Sequence, residues 1–107
     1  MGDYKAFLPM SETAYYILLS LIQERHGYAI MQYVSEITKE RINLGPGTLY
    51  GTLSKLEQAK LVEMTNEENK RKYYKITNDG TLLLQTEVER LKELYNNGVE
   101  VLDYGDK

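Results

Sequence analysis

The chain has 107 residues, 42% hydrophobic and 27% charged, with a formal net charge of −3. That is enough for one domain with one modest core. With no cysteine, no tryptophan and a single histidine, it excludes disulfides, thiol chemistry and a His/Cys zinc site within one chain.

Residues 1–10 are irregular and lack a basic stretch followed by a long apolar run, so no signal peptide is expected. No stretch is long and apolar enough to cross a membrane. The expectation is a cytoplasmic protein without a membrane partner. Ser11 is a candidate N-cap and Glu12 suits a first turn. Ala14, Ile17, Leu18, Leu21 and Ile22 then recur at helical spacing, predicting a first helix over residues 11–23. Tyr15, Tyr16 and Leu19 widen its apolar surface, which implies a second packing partner.

Arg25-His26-Gly27 breaks this pattern. A second helix is predicted over residues 27–38, with Ile30, Met31, Val34 and Ile37 as its buried row. Residues 41–44 alternate weakly, like a strand. Gly45-Pro46-Gly47 forms a compact entry to a third helix over residues 47–60, because proline at a first helical position gives up no needed N–H. Leu49, Leu53 and Leu56 face inward there, and Thr48, Gly51, Thr52 and Lys55 face largely the other way.

Residues 61–65 read as a strand, Asn66-Glu67-Glu68-Asn69 as a polar turn, and residues 70–76 as a second strand. That strand alternates Arg71, Tyr73 and Lys75 with Lys72, Tyr74 and Ile76. Thr77 caps a final helix from Asp79 to Tyr95 or beyond, with fraying expected after Gly98. Its apolar stripe is Leu83, Leu84, Val88, Leu91, Leu94 and Tyr95, with Glu87, Glu89, Arg90, Lys92 and Glu93 mostly outside. The order helix, helix, helix, hairpin, helix predicts a mainly α fold with a small β-hairpin (α+β). Residues 1–78 are expected to form a winged helix-turn-helix and residues 79–107 a C-terminal helix, the two making one compact unit.

Charge is distributed unevenly. Residues 45–77 carry six basic and four acidic side chains, whereas residues 78–107 carry three basic and seven acidic ones. A positive middle can meet phosphate while the rest keeps the chain soluble. A recognition helix must offer small and polar side chains to a DNA groove while its apolar row holds it to the body. Thr48, Thr52 and Lys55 supply hydroxyls and a cation, Gly51 permits close approach, and Tyr50 offers a ring and a hydroxyl. The Lys70-Arg71-Lys72 run, interleaved with Tyr73 and Tyr74, places cations where a hairpin tip reaches phosphates; lysines on an edge strand also guard against aggregation. His26 and Tyr28 mark the start of helix two, where free N–H groups favour phosphate. A lone histidine there is more often a cap than a ligand. No acid pair or nucleotide loop is present, so no catalytic residue, metal or cofactor is expected.

In order along the chain stand His26-Gly27-Tyr28, Gly45-Pro46-Gly47-Thr48-Leu49-Tyr50, Leu53, Leu56-Glu57, Leu61-Val62, Lys70-Arg71-Lys72-Tyr73-Tyr74, Ile76-Thr77 and Gly80. This combination resembles the PadR family of bacterial transcriptional regulators, in the smaller subgroup with one short C-terminal helix. The resemblance implies a homodimer joined by helix one and the last helix, with Leu18, Leu84, Val88, Leu91, Leu94 and Tyr95 at the interface. It implies two recognition helices on a pseudo-palindromic double-stranded DNA operator, with Thr48, Tyr50 and Lys55 on the recognition helix and Lys70, Arg71 and Lys72 on the wing. Repression is the family expectation. Some members bind flat aromatic compounds at the dimer interface, often against a tryptophan of the last helix. Here Tyr15 and Tyr95 are the candidates for such an effector. Asn69 stands where the family wing usually has glycine. The alternative from another class is a winged-helix protein-interaction module without sequence-specific DNA binding, which a weak salt dependence would reveal.

Overall fold

The computed structural model describes residues 4–105 of the chain, and for Tyr104 and Gly105 only the backbone. A single 3₁₀ turn over Tyr4–Phe7 precedes four α-helices and three strands. Helix α1 (Glu12–Ser20) opens on Ser11, whose hydroxyl accepts the Ala14 N–H at 3.1 Å. It ends earlier than its apolar spacing predicts. The Leu21 carbonyl is taken by the Ile76 N–H at 2.8 Å, so the chain leaves the helix to meet a sheet. A two-residue strand follows, β1 (Arg25–His26), which sequence periodicity did not reveal.

Helix α2 (Gly27–Ile37) is capped by His26, whose ring accepts the Ala29 N–H. It closes with Lys39 and Glu40 in left-handed conformations, φ 52° and 63°. The Lys39 and Glu40 N–H groups turn back to the Glu36 and Ser35 carbonyls, satisfying two orphan acceptors. Residues 41–44, expected to be strand-like, join no strand; Ile42 and Leu44 instead pack on the core from the side. Ile37, expected in the buried row, is 46% exposed.

Helix α3 (Pro46–Gln58) starts on Pro46 as expected and buries Leu49, Leu53 and Leu56. Its end is the same motif as that of α2: Lys60 N–H donates to Glu57 O at 2.9 Å and Leu61 N–H to Leu56 O at 2.9 Å. The left-handed residue here is Lys60, φ 63°. Strands β2 (Val62–Glu68) and β3 (Arg71–Ile76) form the hairpin. The expected turn over residues 66–69 is corrected. Pairing runs out to Glu68 against Arg71, and the reversal is Asn69-Lys70 alone, φ 53° and 66°. Two successive left-handed residues make the type I′ geometry that matches strand twist. An irregularity between Met64 and Asn66 shifts the register at Thr65, adding local twist. The antiparallel sheet has the order β1-β3-β2.

Helix α4 (Asn78–Gly105) is 28 residues long, ten residues beyond Tyr95. Thr77 caps it, accepting the Gly80 N–H at 3.1 Å. Gly80 is needed there because a Cβ would collide with the Leu61 carbonyl oxygen. The helix continues through Gly98, where fraying was expected, to Gly105; residues 106–107 lie outside the described part. The core gathers Ile17, Leu18, Leu21, Ile30, Val34, Leu49, Leu53, Leu56, Leu61, Val62, Tyr74, Ile76, Leu83 and Leu84, so α4 shares the core through its first turns. From Leu91 to Asp103 every residue is exposed.

A side chain at Lys60 holds φ in a region that costs an L-residue roughly 1 kcal/mol. Lys60→Gly is expected to raise the unfolding free energy by about 0.5–1 kcal/mol, measured by urea denaturation. A loss of stability would show that the lysine stem contributes packing that outweighs this strain.

Candidate nucleic-acid interface

Three elements converge at one end of the molecule. Gly27, the first residue of α2, has no Cβ, and one placed there would strike the hydroxyl and ring of Tyr50. The missing side chain lets the Tyr50 ring of α3 lie against the start of α2. Strand β1 pairs with β3, Arg25 opposite Tyr74 and His26 opposite Tyr73, which carries the hairpin to the same place. The His26 and Tyr73 rings pack edge to face with centroids 5.3 Å apart. Arg25 is occupied elsewhere: it donates to the Ser20 carbonyl and lies 4.3 Å over the Tyr33 ring.

The result is an open cleft of about 240 Å³ lined by His26, Gly27, Tyr28, Tyr50, Lys70, Arg71 and Lys72. Tyr28 is 59% and Tyr50 50% exposed. The cleft therefore presents three cations, two phenolic hydroxyls and an imidazole, and no acidic side chain lines it. Such a donor set suits phosphodiester oxygens. Six of the ten residues predicted to contact DNA meet here. The other four, Thr48, Gly51, Thr52 and Lys55, sit on α3 outside the cleft. Thr48, Gly51 and Lys55 are exposed and Thr52 is half-buried. A Cβ at Gly51 would meet nothing within 4 Å, so packing within the chain does not require glycine there. Gly27 is the residue that sequence reasoning missed. Its signal was a glycine directly after a cap, where a helix favours alanine.

The Transcriptional regulator PadR-like family model matches residues 17–86. The chain belongs to this family. The PadR-like transcription factor of Bacteroides fragilis superposes with a TM-score of 0.72 at 26% identity, over 92% of this chain and 98% of that one. An uncharacterised protein of Lysinibacillus sphaericus is 33% identical over 78% of this chain and 88% of its own length. The transcriptional regulator YqjI of Escherichia coli is 26% identical over 64% of this chain, which spans a third of that longer protein. PadR-like proteins are transcription regulators and not enzymes, and the three-strand sheet with its winged-helix arrangement and C-terminal helix is the fold they share.

In this PadR-like chain the residues expected at a dimer interface divide into two sets. Leu18 is 0% exposed and packs in the chain's own core; Leu19 of α1 and Ile22 just after it border an outer groove. Val88, Leu91, Leu94 and Tyr95 are 38–70% exposed. Leu84 is 5% exposed but lines an apolar groove of about 280 Å³ with Leu19, Ile22 and Val88. Tyr15 and Tyr95, expected to share an effector site, are not brought together within one chain. Tyr15 lines a second cavity of about 280 Å³ with Tyr16, Glu87, Arg90 and Leu91, and Tyr95 does not. Burial pushes the Tyr15 hydroxyl above its ordinary pKa, so it stays a proton donor. No helix among the described residues is long and apolar enough to cross a membrane.

Glu87 is a correction. It was expected outside the apolar stripe and is 1% exposed. Burial is tolerated because both oxygens are satisfied. Arg90 donates Nε and Nη2 at 2.6 and 2.9 Å, and the Met10 N–H donates at 3.0 Å. Only the Glu87–Arg90 spacing of three could have shown this in the sequence. The Arg90 hydrogen bond holds the Glu87 carboxyl below the usual carboxylate range; burial opposes this and the Met10 N–H adds to it. A carboxyl with a lower pKa in the folded than in the unfolded chain stabilises folding while ionised. Its contribution is complete above the unfolded value and is lost as pH falls through the lowered folded value. Glu87→Gln is expected to lower the thermal midpoint at neutral pH, with the gap to wild type closing as pH drops towards about 3, followed by circular dichroism. A gap that widens in acid would contradict it.

Proposed function

We propose that this PadR-like regulator binds double-stranded operator DNA as a homodimer in the cytoplasm, and acts as a repressor released by a small effector. The observation that carries the DNA reading is the cleft in which Lys70, Arg71 and Lys72 of the wing meet His26 and Tyr28 of α2 and Tyr50 of α3. Beside it, α3 presents Thr48, Gly51, Thr52 and Lys55 to a groove. Base contacts then come from α3 and phosphate contacts from the wing, the division of labour that separates reading from positioning. Two such heads on a twofold axis call for a pseudo-palindromic site.

The dimer reading rests on the apolar row of α4. Leu84, Val88, Leu91, Tyr95 and Leu102 recur at alternating steps of four, three, four and seven, the spacing of a helix–helix seam. Val88, Leu91, Tyr95 and Leu102 are 38–71% exposed in the single chain, and burying them against a second α4 removes that apolar area from water. An effector in the Tyr15 cavity would act by changing the angle between the two α4 helices, since the same cavity is walled by Leu91 of that row.

The DNA reading is tested by fluorescence anisotropy with the duplex upstream of the protein's own gene, against a scrambled duplex, across a salt series. Preference for the native fragment and a steep fall of affinity with salt are expected, because bound cations displace condensed counterions. Lys55→Ala and Tyr50→Ala are each expected to weaken binding by about 1–3 kcal/mol with folding intact. Equal affinity for both duplexes in wild type, with no salt slope, would move the function to a protein partner. For the dimer, Leu91→Asp places a charge in the seam and is expected to yield monomer by sedimentation; an unchanged mass would remove α4 from that role.

A further inference from the structure

The juxtaposition of His26 with the wing goes beyond a general positive patch. His26 Nδ1 accepts the Ala29 N–H at 3.3 Å. An imidazole nitrogen that accepts a hydrogen bond carries no proton, so the ring proton sits on Nε2. Nε2 in turn lies 3.4 Å from Nη1 of Arg71. A guanidinium has no acceptor. The two groups that meet are therefore both donors, and neither satisfies the other.

The arrangement is held in place from three sides. The cap fixes the ring from within α2, the Tyr73 ring packs against it edge to face, and the β1–β3 pairing sets His26 opposite Tyr73 on the strand that carries Arg71. Among the described residues Arg71 forms no salt bridge, although Glu68 stands opposite it across the hairpin. Two donors 3.4 Å apart can converge on one oxygen lying about 2.9 Å from each. The oxygen this pair lacks is anionic, because one donor is a cation and Lys70 and Lys72 line the same cleft.

We propose that His26 Nε2–H and Arg71 form a two-donor seat for a single phosphodiester oxygen of DNA. The histidine is thereby both the cap of α2 and the link that makes the wing and α2 grip one phosphate together. This rests on the DNA reading above and adds to it the identity of the seat, the tautomer it needs, and a coupling between two elements.

The test uses the full chain and a double-mutant cycle. Asparagine is as good an N-cap as any residue, so His26→Asn keeps the cap and removes the Nε2–H. Arg71→Met, on the exposed wing, removes the second donor without touching the core. Affinity for a 20-base-pair duplex is measured at fixed low salt for wild type, both single variants and the double variant, with thermal midpoints as a folding control. Each single variant is expected to bind about tenfold more weakly, and the double variant no more than about threefold below the weaker single, because both groups hold one oxygen. Losses that multiply, or no loss in either single variant while wild type binds, overturn the seat and leave the DNA reading standing. As the protein has one histidine, ¹⁵N-histidine labelling gives an unambiguous second readout. DNA is expected to shift Nε2–H while Nδ1 keeps the resonance of an unprotonated nitrogen. Nδ1 protonation on binding would also overturn the proposal. Should wild type bind no duplex at low salt, the DNA reading fails and the seat with it. A response of the labelled ring to inorganic phosphate alone would then reassign it to a small anion.

Discussion

Everything at the functional end depends on a strand of two residues. Arg25 and His26 pair with Tyr74 and Tyr73, which adds a third anchor to the burial of Val62, Tyr74 and Ile76 in the core and the Ile76 N–H on the Leu21 carbonyl. A two-stranded ribbon is marginal in water. Here a third, very short strand gives β3 a partner on each side and makes the hairpin an extension of the core. Tyr74 and Ile76 on the inner face of β3 are buried, while Arg71, in the same strand, remains in the cleft. The same two residues also start α2, because the extended backbone of His26 is the geometry an N-cap requires. Sheet, helix and cleft thus share one pivot.

On α4 an ion pair with one buried partner, Glu87, plays a comparable part. Glu87 draws the N-terminal segment onto α4 through the Met10 N–H, and Arg90 answers its charge. Removing Arg90, which is itself partly exposed, would leave the buried Glu87 charge with only the Met10 N–H to answer it. The exposed Glu12–Arg41 pair ties α1 to the loop after α2, but water screens it and its worth is small. The contrast shows that the position of a pair, and not its presence, decides its weight.

Much of this was legible in the sequence, and the gaps have physical causes. The leucines of α3 and the alternation of β3 are local patterns, and both elements stand close to where periodicity placed them. The end of α1 is not local: Leu21 continues the apolar spacing, but its carbonyl is claimed by Ile76, fifty-five residues away. Strand β1 has two residues and so no period to detect. The wing turn was misplaced because Asn66-Glu67-Glu68 is polar, while the reversal depends on two left-handed residues of which neither is glycine. Leu18 and Leu84 belong to apolar rows, and spacing alone cannot say which row meets the chain's own core. Within the cleft, residue types were legible, whereas the Gly27–Tyr50 approach and the facing donors of His26 and Arg71 exist only once three elements meet.

The wing is less positive than its basic run implies. Across the hairpin Glu68 stands opposite Arg71, Glu67 opposite Lys72, and Glu63 opposite Lys75, and cross-strand partners share a face. Most of the cations are thus shadowed by an acid, and the outer strand offers a polyanion mainly repulsion. On the proposed DNA reading the molecule searches a long polymer, and there this affects time more than grip. Weak attraction to arbitrary sequence means short halts, and an approach from the acidic edge is rejected before contact. A chain that carries its own repulsion in this way spends little of its search bound in the wrong place or facing the wrong way.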